Sequence, residues 1–129
     1  MSASAQSSDK GQDLAVKACF ACENGTPPLT AEEIAGYAPR VDPAWQVVDD
    51  KFIRREFKFK DFREAMVFVN QLADIANQEG HHPDLYIFYN VVRVELSTHA
   101  VKGLSENDFI MAAKIDRLNP KMSETPQNA

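Results

Sequence analysis

The chain has three histidines, and all of them lie in the stretch from Gly80 to Asp108. His81 and His82 are adjacent, in the run Gly80-His81-His82-Pro83-Asp84, and His99 comes later, ahead of Asp108. Imidazole titrates near neutral pH, so a pair of histidines can offer one proton acceptor and one proton donor. That suits a dehydration, in which one proton leaves a substrate atom and another is delivered to a departing hydroxyl. Three histidines could equally bind zinc. Each taken alone could also be a half-buried residue at a helix end or strand end. Asp108 is open to two readings as well, as the reciprocal partner of a capping box or as an acid that orients an imidazole. Cys19 and Cys22 stand in a C-x-x-C spacing. No second such pair completes a four-ligand zinc site. The flanks do not place the pair at a helix start after a strand, where a reactive dithiol normally sits. Structural cysteines, a labile thiol pair and a metal site remain the alternatives.

The elements that must position these residues follow from periodicity and caps. Thr30-Ala31-Glu32-Glu33 is a capping box that opens a short helix, with Ile34 and Tyr37 on its apolar side, weakened by Gly36 and ended by Pro39. Residues 45–48 and 52–59 read as two strands joined by the polar turn Asp49-Asp50-Lys51. In the second strand Ile53, Phe57 and Phe59 share one face and Arg54, Glu56 and Lys58 the other, and Arg55 falls on the apolar face. Asp61 caps the longest helix. Phe62, Ala65, Met66, Val69, Leu72, Ala73 and Ala76 form its expected stripe, with Phe68 and Ile75 beside it. So wide an apolar surface exceeds what one sheet covers, and predicts contact with another helix or another subunit. Gly80 stands where a left-handed cap would end that helix. Residues 85–89 and 91–98 read as a second hairpin, with Asn90 as the turn residue of positive φ. The hairpin runs out and back, so His99 is expected to return to the neighbourhood of His81 and His82. Ser105-Glu106-Asn107-Asp108 opens a last helix through about Leu118, with Phe109, Ala112, Ala113 and Leu118 inward and Pro120 closing it. The order α-β-β-α-β-β-α predicts an α+β fold, a four-stranded antiparallel sheet with helices packed on one face.

Composition narrows the function classes. With 129 residues, 44% hydrophobic and 26% charged, the chain fits one ordinary globular domain. Residues 1–12 are polar and aperiodic and read as a disordered tail, residues 13–120 as the domain, and residues 121–129 as a loose tail. Residues 13–29 read as an arm with little regular structure. A net charge of -5 argues against a nucleic-acid surface. No apolar run reaches the length of a membrane helix and no signal-peptide core is evident, so the expected location is cytoplasmic.

The run His81-His82-Pro83-Asp84, then Tyr89-Asn90, Ser97-Thr98-His99, Gly103-Leu104-Ser105 and Asp108, resembles the signature of the pterin-4a-carbinolamine dehydratases. Tyr89 lies six residues after Pro83, His99 ten after Tyr89, and Asp108 nine after His99. The resemblance covers about residues 13–118 and takes in Cys19, Cys22 and Pro27-Pro28-Leu29 of the arm, Trp45, and Phe57-Lys58-Phe59-Lys60-Asp61-Phe62. It implies the element order given above. It also implies a homodimer or homotetramer built through sheet edges and helices, and dehydration of 4a-hydroxytetrahydropterin to quinonoid dihydropterin without metal or organic cofactor. By position, His81 and His99 look like the acid/base pair and His82 like a pterin-binding residue. Pro83, Asn77, Ser97 and Thr98 fall at substrate-binding positions, and Asp108 resembles the supporting acid. Asn77 is a departure, because the family usually carries an acidic residue there. Asn can hydrogen-bond a ring but supplies no charge. Glu79 lies roughly 200° away round the helix and is a poor substitute.

Three functions therefore compete: a metal-free dehydratase, a non-catalytic dimerisation or assembly cofactor that binds a protein partner, and a metal protein using the three histidines. Retention of all three histidines favours the first over the second.

Overall fold

The computed structural model describes residues 13–118. The tails at 1–12 and 121–129 and the closing Pro120 lie outside them. Seven elements form the body of the fold: α1 (Ala31–Tyr37), β1 (Gln46–Val48), β2 (Phe52–Lys58), α2 (Phe62–Glu79), β3 (Asp84–Phe88), β4 (Val91–Leu96) and α3 (Glu106–Arg117), with short 3-10 turns at Leu14–Val16, Ala38–Arg40 and His99–Val101. The sheet is antiparallel throughout, in the order β1-β2-β4-β3. The two hairpins therefore meet at β2 and β4, and β1 and β3 are the edges.

Pairing of Ile53 with Leu96, Arg55 with Val94 and Phe57 with Val92 lines up one face of the sheet. Ile53, Phe57, Val92, Val94 and Leu96 are buried on it under the helices. The opposite face carries crossed ion pairs, Arg54 with Glu95 and Arg93 with Glu56, each 3.0 Å. The guanidinium of Arg93 also lies over the rings of Tyr86 and Phe88. Period-two alternation thus becomes an apolar face and a charged face.

Arg55 on the apolar face has a specific solution. Its guanidinium lies over the Phe57 ring, 4.4 Å from the centroid, and its Nη1 donates to Asp116 Oδ1 at 2.7 Å. Asp116 also accepts from Trp45 Nε1 and from the backbone N–H of Asp42. One carboxylate of α3 thereby ties β2 and the segment before β1 together. Burial raises the Asp116 pKa despite the cation beside it.

Three local expectations are corrected. The buried line of α2 is Ala65, Phe68, Leu72 and Ala76, so Phe68 is central and Phe62, 49% exposed, is outside. Phe68 sits between Phe57 and Phe59, with ring centroids at 4.7 and 5.1 Å, and this aromatic cluster sets the rotation of the helix. In the β3–β4 turn the positive φ belongs to Tyr89 (54°), not Asn90. Asn90 instead exchanges hydrogen bonds with the backbone of Phe59, docking the turn onto the end of β2. Finally, α3 is buried nearly all round, including Ile110, Met111 and Ile115, which no single inward stripe contains. The arm covers its outer side: Leu14 is fully buried, and Lys114 Nζ donates to the carbonyl of Ala15.

Candidate active site

The site is built where α2 ends, β3 begins and α3 starts. Gly80 terminates α2 with φ 66°, a left-handed conformation that glycine adopts freely, and its N–H closes on the carbonyl of Ala76. His81 and His82 leave the helix from that cap, and Pro83 feeds them into β3. On the other side, β4 ends at Leu96, earlier than the expected strand to Thr98. Thr98 forms an isolated bridge with Gly103, and His99 opens the 3-10 turn rather than ending a strand.

Asp108 is the hub of the site. Its side chain is fully buried. Oδ1 faces His81 Nε2 at 2.6 Å, while Oδ2 accepts from the hydroxyl of Thr98 at 2.8 Å and from the N–H of Ser105 at 2.9 Å. Ser105 in turn bonds the Thr98 hydroxyl at 2.8 Å and caps α3 through the N–H of Asn107. One carboxylate thus serves both readings, closing the capping box and holding an imidazole. With Nε2–H donated to the acid, Nδ1 of His81 is left as the acceptor. Only 12% of the His81 side chain is exposed, so its hydrogen bond to Asp108 is sheltered from water.

His82 is exposed, and its Nε2 lies 3.0 Å from Asn77 Oδ1. The neutral side chain at that position therefore binds the ring, without charge. Glu79 does not stand in for it: its carboxylate accepts from the N–H of Cys19 at 2.8 Å and faces Lys114 at 3.6 Å, on the arm side of the helix. Pro83 and Ser97 are half-buried and Thr98 is buried, with its hydroxyl committed to Asp108 and Ser105.

His99 is exposed and lines a cavity of about 630 Å³, together with residues 24–28 of the arm, Lys51 and the turn to Lys102. Among the described residues its ring has no hydrogen bond, and no direct bond joins it to His81 or His82. The connection runs through the backbone instead, since His99 follows Thr98, whose hydroxyl shares Asp108 with His81. No group of three or more His, Cys, Asp or Glu side chains among the described residues is arranged to hold a metal ion.

Sequence reasoning missed Ser105 as a member of the site, although its capping role pointed to the same carboxylate. It also missed Asn107. Its Oδ1 accepts from the N–H of Phe20 at 3.0 Å, and its Nδ2 donates to the Phe20 carbonyl at 2.6 Å and faces Cys22 Sγ at 3.6 Å. Cys19 Sγ meets the Asn107 carbonyl at 3.8 Å. Both cysteines are free thiols. Burial, with Glu79 adding to it, pushes the Cys19 thiol up to about 12. Cys19 is thus held as a protonated thiol between arm and helix.

Comparison with known proteins agrees with this architecture. The family model described as pterin 4 alpha carbinolamine dehydratase matches residues 27–118. Relatives bearing the provisional name pterin-4-alpha-carbinolamine dehydratase include one from Alkaliphilus metalliredigens, 45% identical over 81% of this chain and 95% of its own. Another, from Legionella pneumophila, is 50% identical over 82% of this chain and 95% of its own. Among solved structures, a transcriptional coactivator/pterin dehydratase from Brucella melitensis superposes with a TM-score of 0.67 at 40% identity, covering 70% of this chain and 97% of that one. A pterin dehydratase-like protein identified as a RuBisCO assembly factor shares the fold at 21% identity and a TM-score of 0.50. With its fold and most of its length matched, the chain belongs to the pterin 4 alpha carbinolamine dehydratase family.

Proposed function

We propose that the protein is a hydro-lyase that dehydrates 4a-hydroxytetrahydrobiopterin to quinonoid dihydropterin and water, in the recycling of tetrahydrobiopterin in the cytoplasm. The observation that carries the reading is the buried pair of His81 Nε2 and Asp108 Oδ1 at 2.6 Å. A carboxylate behind an imidazole fixes its tautomer and stabilises the charge it acquires on taking a proton. His81 then suits the base. It removes the proton from the ring nitrogen beside the carbinolamine carbon, the electron pair forms the carbon–nitrogen double bond, and the carbon–oxygen bond breaks. His99, exposed on its cavity, suits the acid that delivers a proton to the leaving hydroxyl. His82 and Asn77 with Pro83 and Ser97 form the substrate-binding side, and the reaction needs no cofactor. Thr98, expected to touch substrate, is better read as a support for Asp108, because its hydroxyl is already committed.

The decisive measurement is loss of the 4a-hydroxypterin absorbance in the presence of the wild type, His81→Ala and His99→Ala. Each variant should lose about a hundredfold to ten-thousandfold in rate, the range of general acid/base catalysis. Undiminished turnover by a double His81→Ala/His99→Ala variant would overturn the mechanism.

A second reading, a dimerisation or assembly cofactor, is favoured by the apolar edge strand. On β3, Tyr86, Ile87 and Phe88 are 42%, 40% and 51% exposed. Partner capture without turnover at any pterin concentration would favour it. The same edge supports a homodimer by strand addition, and the exposed Phe62 and Val67 of α2 support a second contact toward a homotetramer.

A further inference from the structure

The cavity beside His99 has a wall that the dehydration chemistry does not use. Three segments build it. Residues 24–28 of the arm form one side, held in place by the N–H of Gly25 on the Ala100 carbonyl and the N–H of Leu29 on the Leu104 carbonyl. Pro28 packs so closely on Gly103 that a Cβ there would lie 2.8 Å from the proline Cβ. The β1–β2 turn supplies Lys51, and the turn after His99 supplies Lys102. The chain carries more acidic than basic residues, 19 against 14, yet this lining contains two lysines, one histidine and no carboxylate. Asp49 and Asp50 precede Lys51 but do not line the cavity. Neither lysine has an ion pair among the described residues. Lys102 holds φ 59°, a conformation that glycine reaches freely and a lysine reaches only against steric resistance. A local excess of positive charge in an acidic chain, on a preformed concave wall next to a proposed catalytic histidine, selects for negative charge in what enters.

We propose that Lys51 and Lys102 form an anion subsite, and that the preferred substrate is a reduced pterin whose side chain carries an anionic group, a phosphate ester or a carboxylate. The identification of the ligand as a pterin rests on the dehydratase reading. The charge preference rests on the cavity wall.

The test is titration calorimetry of the full chain with three reduced pterins whose side chains end in a phosphate ester, a carboxylate or a neutral hydroxyl. At least one anionic ligand should bind about tenfold or more tightly than the neutral one, and the two anionic arms show which group is preferred. The preference should shrink as salt is raised from about 0.05 to 0.5 M. It should vanish in Lys51→Gln/Lys102→Gly, where glycine relieves rather than adds backbone strain, and survive in Lys51→Arg/Lys102→Arg. Equal affinity for all three ligands overturns the proposal, as does a preference that persists in the double variant lacking both lysines. Turnover of the matching carbinolamines, measured in parallel, separates the two readings. Discrimination in binding with no turnover supports the anion subsite and overturns the dehydratase reading. Turnover with no discrimination does the reverse.

Discussion

A single buried carboxylate, that of Asp108, holds one of the three histidines, His81. Asp108 accepts three hydrogen bonds, from the His81 ring, the Thr98 hydroxyl and the Ser105 backbone. Replacing it by Asn keeps the shape but turns one acceptor into a donor, so that His81 or the Thr98–Ser105 pair must face an N–H. Asp108→Asn should lower kcat/KM about tenfold to a hundredfold and cost about 1–3 kcal/mol of stability, as read by steady-state kinetics and urea unfolding. The second prediction concerns Cys19. Its thiol is raised from 9.0 to about 12, which leaves about a thousandfold less thiolate than an ordinary cysteine below pH 9. Iodoacetamide should therefore alkylate Cys19 more than about a hundredfold more slowly in the native protein than in urea, as followed by peptide mass spectrometry. The native chain holds this proton more tightly than the unfolded chain does. The associated stability is present below pH 9 and is lost as pH rises toward 12.

At the scale of elements, Asp116 is the fastening between helix and sheet. Truncation in Asp116→Ala leaves Trp45 Nε1 and the N–H of Asp42 without their acceptor and weakens the charge balance of Arg55, so unfolding should become easier by about 3 kcal/mol. The raised pKa of Asp116 gives a sign as well. The folded state favours its protonated form, so its contribution is greatest below the ordinary carboxylate value of 3.8 and falls as pH rises through the raised value. Denaturant midpoints of wild type and Asp116→Asn between about pH 3 and 7 should show that fall in the wild type only. The elements themselves were legible in the sequence because each carries a local signal: Thr30 and Ser105 as caps, the alternation through Ile53 and Phe57, and Gly80 as a stop. What periodicity could not show is which neighbours cover an element. The side of α3 that carries Asn107 and Lys114 is covered by an aperiodic arm, and Phe68 outranks Phe62 because two aromatics of β2 and its exit grip it. The site divides in the same way. That Asp108 could orient an imidazole was legible from its place in the chain, but which imidazole was not, and the arm wall opposite His99 comes from residues more than seventy positions away.

For the whole molecule, the open question of assembly falls on the β3 edge. Edge strands with exposed apolar side chains invite another strand, and a lysine there discourages it. The wild type should run as a dimer or larger species in light scattering, and Phe88→Lys should shift it toward the monomer while leaving circular dichroism unchanged. A monomeric wild type would remove the proposed strand addition. The double duty of Asp108 also bears on how such a chain can drift. On the proposed reading, losing His81, His82 or His99 would remove chemistry without unmaking a helix, because none of the three caps one. Losing Asp108 would weaken the hold on His81 and the cap of α3 together. Descendants that abandon catalysis but keep this scaffold for binding should therefore discard imidazoles first and retain the acid, a fossil of the reaction preserved by the needs of folding.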